Sequence, residues 1–216
     1  MIGLLRKDIY MLYGAYKKNI LLLFLMYTMV IVTMKNTFLL GLAIWLMSFY
    51  SLSAITMDDS CGWGRYARTL PVSDGVVIMA RFLSTLVMLC AGVAFAVTIA
   101  VVLCCFMHYA VFNELMTIIA LVTAVALATL GLLLPAAYKW GVEKARNTSL
   151  ALFMLACMIP LMLKKLAGRH FSADLLELRI QELSLGWLSV WAMGIGLLIF
   201  FFGSWLSSRI YAKKEF

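Results

Sequence analysis

The sequence predicts an all-α, polytopic membrane protein with six transmembrane helices. Hydrophobic residues make up 65% of the 216 residues, they fall into six long apolar runs, and almost no charged residue lies inside a run. An apolar run of about 18 residues or more is long enough to cross a bilayer as a helix. Because these runs and their connections use nearly the whole length, we expect one membrane domain and no separate soluble catalytic module.

Residues 1–18 differ from the runs that follow, because polar and apolar side chains alternate there at helical spacing. This pattern predicts an amphipathic helix that lies on the membrane surface, ahead of a six-helix transmembrane domain of residues 19–216. The apolar face carries Leu5, Ile9, Leu12 and Tyr16, and the polar face carries Arg6, Tyr10, Tyr13 and Lys17.

The six predicted spans differ in length, and the connections between them alternate between short turns and longer polar segments. Proline lies near the end of two of them, where a helix can stop at little cost. The predicted spans are Ile20–Met34, Thr37–Met57, Val76–Met107, Leu115–Tyr138, Thr148–Leu163 and Trp187–Ser208.

The distribution of Lys and Arg predicts the orientation of these spans. The side that holds both termini carries 13 of the 18 Lys and Arg residues, and positive charge is enriched on the cytoplasmic side of membrane proteins. We therefore expect a cell-membrane protein with both termini in the cytoplasm. The formal net charge of +8 is explained by this bias and by anionic headgroups, so no nucleic-acid partner is expected.

The motifs that would give this chain its own chemistry are missing. The sequence has no HExxH motif, no GxxxxGKS/T loop, and no CxxC pair among its five cysteines. Catalytic residues, a metal site and a bound cofactor are therefore not expected. The spans also lack the buried acids that ion-coupled carriers use, so any vectorial work should draw its energy from a partner.

Two polar segments stand out between the spans. Residues 58–75 place Trp63, Tyr66 and Leu70 at helical spacing, with Arg65 and Arg68 beside them. A short helix of this kind suits docking to another protein, but it suits an interfacial helix held by lipid headgroups equally well. Residues 164–186 predict an amphipathic helix on the outer side, which either gates a path or only returns the chain to the membrane.

Four stretches resemble the small permeases of the ABC-2 type. GWGRYARTLPVS, from Gly62 to Ser73, is similar to the family's loop after the second span, and LLLPAAYKWGVEKAR, from Leu132 to Arg146, is similar to its loop after the fourth. The opening LLRKDIY and the ending RIYAKKEF resemble the two ends of the same family.

The resemblance implies a dimerising six-helix permease, paired with itself or with a second permease, that carries two ATP-binding subunits on its cytoplasmic face. ATP and Mg²⁺ would be bound by those subunits. The loop of residues 58–75 would hold a coupling helix that contacts the ATPase. The implied coupling residues are Asp58, Asp59, Gly62, Trp63, Arg65, Tyr66 and Arg68, and the implied supporting residues of the second cytoplasmic loop are Lys139, Glu143, Lys144 and Arg146.

The resemblance also implies export of hydrophobic or amphipathic peptides, or self-protection against antimicrobial peptides. Two other functions stay open. The chain is alternatively a membrane-embedded peptide-binding or sensor subunit that transports nothing, with the segment 164–186 as its receptor. A secondary carrier is the third possibility, against which the lack of buried acids counts.

Overall fold

The computed structural model describes residues 2–34, 38–67, 69, 71–107, 112–148 and 185–213. Within these ranges the chain is all-helical, as predicted, and has no strand. The helices are α1 (Ile2–Met34), α2 (Phe38–Ser60), α3 (Trp63–Ala67), α4 (Asp74–Met107), α5 (Phe112–Trp140) and α6 (Leu185–Ala212). A further helical segment covers residues 142–148.

Helix α1 differs from the expectation of a separate surface helix over residues 1–18. It is one continuous helix of 33 residues with no break before the first predicted span. The physical reason is that the segment lacks proline, and its two glycines, Gly3 and Gly14, each cost only about 1 kcal/mol within a helix. Its first half still has two faces, because Leu12 is buried while Tyr10 and Tyr13 are largely exposed.

Three helices among the described residues are long and apolar enough to cross a membrane. They cover Asp74–Cys105, Leu115–Trp140 and Gly186–Ala212, which correspond to the third, fourth and sixth predicted spans. The first predicted span lies within α1, and the second lies within α2 from Phe38 onward, its first residue Thr37 being outside the described residues. The fifth predicted span, apart from its first residue Thr148, lies outside the described residues, and so does the outer connection as far as residue 184.

Pairs of contacts fix the directions of the helices. Asp58 of α2 lies against Arg81 of α4, and Met47 lies against Gly92, so these helices are antiparallel. Tyr16 of α1 packs on Tyr50 of α2, with ring centroids 5.1 Å apart. Since Lys7 also meets Asp58, α1 runs opposite to α2.

Helices α5 and α6 run parallel and approach very closely at small residues. A Cβ atom added to Gly196 would lie 2.7 Å from the carbonyl oxygen of Ala124, and one added to Gly131 would lie 2.7 Å from that of Ile199. A Cβ on Gly203 would overlap the carbonyl oxygen of Gly131. Small residues permit such close helix packing in membranes.

The same end of the bundle therefore holds the start of α1, the end of α2, the start of α4 and the ends of α5 and α6. Phe82 of α4 packs on Phe200 of α6 at 5.0 Å, and Tyr138 of α5 packs on Tyr211 of α6 at 5.7 Å. This arrangement agrees with the directions predicted for these five spans. We call it the polar end, because the charged contacts described next lie there.

Candidate coupling site

Helix α3 is a short helix set off from α2 by a glycine turn. Gly62 has a φ of 65°, a conformation that glycine adopts far more readily than other residues. The amide of Cys61 donates to the carbonyl of Met57 at 3.0 Å, and the amide of Arg65 donates to the carbonyl of Gly62 at 3.2 Å. Gly62 thus ends one helix and begins the next, as glycine commonly does after a helix C-terminus.

The side chains of α3 divide into an inner and an outer face. Ala67 is buried and Trp63 is half-buried, whereas Arg65 and Tyr66 are exposed. Beside the outer face is an open depression of about 400 Å³, lined by Asp58, Asp59, Ser60, Gly62, Gly64 and Arg65. The exposed face combines an aromatic ring with a cation, residue types that are enriched where proteins dock.

Four charged side chains form a network beneath α3. Arg81 of α4 is buried and lies between two carboxylates. Its Nη1 is 3.2 Å from Oδ2 of Asp8 in α1, and its Nη2 donates a hydrogen bond to Oδ2 of Asp58 in α2. Lys7 of α1 closes the network, with Nζ 2.7 Å from Oδ1 of Asp58 and 3.3 Å from Oδ1 of Asp8. Two cations balance two carboxylates, and we call this set the charge network.

Burial decides how strongly these charges interact. The side chains of Asp8, Arg81 and Asp58 are only 5%, 6% and 13% exposed, and that of Lys7 is 26% exposed. Burial raises the pKa of Asp8 above its ordinary value, while Arg81 and Lys7 act in the opposite direction. The Ser84 hydroxyl lies 3.2 Å from Oδ2 of Asp8 as a donor. Such buried charges are tolerated only when they are paired and hydrogen-bonded.

Helices α5 and α6 border the charge network through two tyrosines. Tyr138 and Tyr211 line a small pocket of about 30 Å³ together with Arg81 and Asp58. Every long described helix therefore has a residue at this point, and the polar end is tied together by charge as well as by apolar packing.

Lys7 also connects the charge network to α3. Its ammonium group lies 3.9 Å from the centre of the Trp63 ring, a cation–π contact. The Trp63 ring is 5.3 Å from the ring of Tyr66. Trp63, on the inner face of α3, therefore contacts Lys7, which is itself paired with Asp8 and Asp58.

The second loop lies at the same end of the bundle. Gly141 has a φ of 88° and ends α5, with its amide 2.9 Å from the carbonyl of Ala137. The helical segment 142–148 then packs inward through Ala145, which is buried. All four side chains predicted to support coupling are exposed: Lys139, Glu143, Lys144 and Arg146.

The structure separates the predicted coupling residues into two groups. Asp59, Gly62, Arg65 and Tyr66 are exposed around α3. Asp58 instead points into the charge network, and Trp63 is seated on Lys7. Arg68 lies outside the described residues. Sequence reasoning did not identify Lys7, Asp8, Arg81 and Tyr138 as members of this site.

A signal for Asp8 was present in the sequence. Asp8 falls between Leu5 and Leu12 at spacings of three and four residues, which puts an acid on the apolar face of α1. An acid there requires a cationic partner. Arg81 lies one turn inside the third predicted span, where a cation is costly and requires an anionic partner.

Comparison with protein families matches residues 3–212 to a family described as ABC-2 family transporter protein. No curated protein and no solved structure matches the chain. The family match includes α1, both loops at the polar end and α6.

Proposed function

Because the chain belongs to the ABC-2 transporter family, it is a multi-pass membrane permease subunit that works with a separate ABC ATP-binding subunit, and we propose that it exports hydrophobic or amphipathic peptides. In this proposal α3 is the coupling helix. The polar end faces the cytoplasm of the cell, so both termini lie there. The partner binds ATP and Mg²⁺, and two copies of that partner serve a pair of permeases.

The observation that carries the coupling role is the combination of an exposed and an anchored face on α3. Arg65 and Tyr66 point outward, where a groove on the ATPase can receive them. Trp63 and Ala67 point inward, where Trp63 meets Lys7. A movement of the ATPase that displaces α3 therefore reaches a charge network shared by α1, α2 and α4.

The apolar content of the spans supports ATP as the source of energy. No charged residue occurs between Arg81 and Cys105 in α4, between Leu115 and Tyr138 in α5, or from Gly186 to Ser208 in α6. A carrier driven by protons or sodium ions needs ionisable or carbonyl groups that hold the ion near the middle of the membrane. The partner's ATP binding supplies the shift between states instead.

The apolar content also supports an amphipathic peptide as the cargo. The chain has 15 methionines, whose flexible, polarisable side chains adapt to varied apolar surfaces. A peptide with one apolar face would find contacts along such a path without a fixed polar pocket. Self-protection against antimicrobial peptides is the same activity directed at peptides that enter the membrane from outside.

The test is ATPase activity and peptide movement in liposomes that hold the permease with its ATP-binding subunit. The double variant Arg65→Ala with Tyr66→Ala removes the exposed face of α3, and neither residue contributes to the core. We expect the variant to insert normally but to lose peptide-stimulated ATPase activity and transport of a dye-labelled amphipathic helical peptide. Arg209→Ala is the matched control, since it removes an exposed arginine outside both loops.

Two results would contradict the proposal. Unchanged ATPase activity and transport in the double variant would remove α3 from coupling. A wild-type complex that binds the peptide and responds with ATP hydrolysis, yet never moves the peptide across the bilayer, would identify a sensor instead of an exporter.

A further inference from the structure

Among the residues that the structure describes, Lys7 combines three contacts along the proposed coupling path. Its ammonium group is 2.7 Å from Asp58 of α2, 3.3 Å from Asp8 of its own helix, and 3.9 Å from the ring of Trp63 in α3. We propose that Lys7 is the positioning residue that couples movement of α3 to the charge network, and so to α1 and α4. This inference rests on the proposed function of α3 and adds the residue through which it acts.

The backbone alone is a poor route for this movement. Helix α3 has five residues, and it joins α2 through Gly62. Among the described residues, no atom beyond its chain neighbours would lie within 4 Å of a Cβ at that position. A glycine turn yields easily when the helix beyond it is pushed, because glycine has the widest choice of backbone conformations. A side-chain contact is needed to carry the displacement inward.

The charge network is suited to receive that displacement. Arg81 is held by Asp8 on one side and by Asp58 on the other, and Lys7 touches both of these carboxylates. Moving the ammonium group changes the balance of charge around Arg81, which sits at the start of the long helix α4. Buried polar groups feel such changes strongly, since the surrounding protein screens charge less than water does.

The contact between Lys7 and Trp63 is weak enough to break and form again in every transport cycle. A cation–π contact at a partly exposed position is weak compared with the paired buried charges below it. Lys7 is the most exposed member of the charge network, with 26% of its side chain accessible. The link at Trp63 can therefore yield while the Asp8–Arg81–Asp58 contacts keep the helices in place.

The experiment uses the reconstituted complex with Lys7→Met and Lys7→Arg, and Lys17→Met as the control. Lys17 also lies over an aromatic ring of its own helix, Tyr13, at 5.9 Å, but far from α3. The readouts are co-purification with the ATP-binding subunit, ATP turnover, and labelled peptide moved per ATP hydrolysed. We expect Lys7→Met to keep co-purification and ATP turnover while peptide moved per ATP falls about tenfold, within the usual range of coupling between sites.

Two further comparisons separate a positioning role of Lys7 from a merely structural one: rescue by Lys7→Arg, and the combined effect of Lys7→Met with a variant of Trp63. Lys7→Arg keeps the charge and the contact with the ring, and it should restore most of the coupling. Trp63→Leu should lower the yield of transport per ATP as Lys7→Met does, and the double variant should be no worse than either, because both remove the same contact.

The possible outcomes distinguish the role of Lys7 from the proposed function of the chain. Normal transport per ATP in Lys7→Met overturns the role of Lys7 and leaves α3 as the coupling helix. Additive losses in the double variant also overturn it. A wild-type chain that associates with no ATP-binding subunit overturns the proposed function, and the role of Lys7 with it.

Discussion

Replacing Arg81 with methionine tests the charge network most severely. Arg81 is the buried cation between Asp8 and Asp58, and methionine fills a similar volume without charge. The variant leaves two nearly buried carboxylates with Lys7 as their remaining cation. Removing one partner of a buried ion pair costs about 3–5 kcal/mol, because an uncompensated charge stays behind.

That cost is large on the scale of folding. Each 1.36 kcal/mol is a factor of about ten, so the folding equilibrium constant of Arg81→Met should fall by roughly two to nearly four orders of magnitude. Adding Asp8→Asn should return part of the loss, about 0.5–3 kcal/mol, since it removes one of the stranded charges. An exposed neighbour, Arg6, supplies the control, and Arg6→Met should stay within about 0.5 kcal/mol of wild type.

The assay is denaturant unfolding of the detergent-solubilised chain, followed by tryptophan fluorescence and by helix content. We expect a clear order of stability, with Arg6→Met near wild type, the double variant lower, and Arg81→Met lowest. It would be refuted if Arg81→Met unfolded at the wild-type denaturant concentration, or if Asp8→Asn made Arg81→Met less stable still.

Two further predictions concern helix packing and pH. Gly203→Ala places a methyl group against the carbonyl of Gly131 and should cost at least about 1–3 kcal/mol. No atom of the described residues would lie within 4 Å of a Cβ at Gly194, so Gly194→Ala should be nearly neutral. Equal thermal midpoints for the two variants would contradict the close approach of α5 and α6. Burial raises the pKa of Asp8 above 3.8, so the stability that this group contributes is full below pH 3.8 and is lost as pH rises through the raised pKa. As pH rises from 3.8 through the raised pKa, the free energy of unfolding of wild type should fall relative to that of Asp8→Asn. A rise relative to that variant would show that the pKa of Asp8 is lowered instead.

The helices of the membrane domain were predictable because their signal is local. Runs without charge and of sufficient length define α4, α5 and α6 within a few residues of their observed bounds. The two loops were predictable from their polar residues, and the structure adds that Gly62 and Gly141 end helices there in the left-handed conformation. The continuity of α1 was not, because the amphipathic face of residues 1–18 was interpreted as a separate unit although no residue breaks the helix.

The charge network could be predicted only in part, because it depends on the register between helices far apart in sequence. Asp8 and Arg81 are each unusual on their own, one on an apolar face and the other inside a span. Nothing in the local pattern states that α1 and α4 bring them within 3.2 Å of each other. For the same reason the sequence placed Asp58 among the coupling residues without its partners, and the structure shows that its carboxylate turns inward to Lys7 and Arg81.

The most direct test of the account is to purify the tagged chain from its native membrane in mild detergent and to identify what accompanies it by mass spectrometry. The account predicts a co-purifying protein with a phosphate-binding GxxxxGKS/T loop, lost from the Arg65→Ala and Tyr66→Ala double variant and retained by Lys7→Met. A pure preparation of this chain alone, still able to bind an amphipathic peptide, would contradict the claim that a separate ATPase drives it.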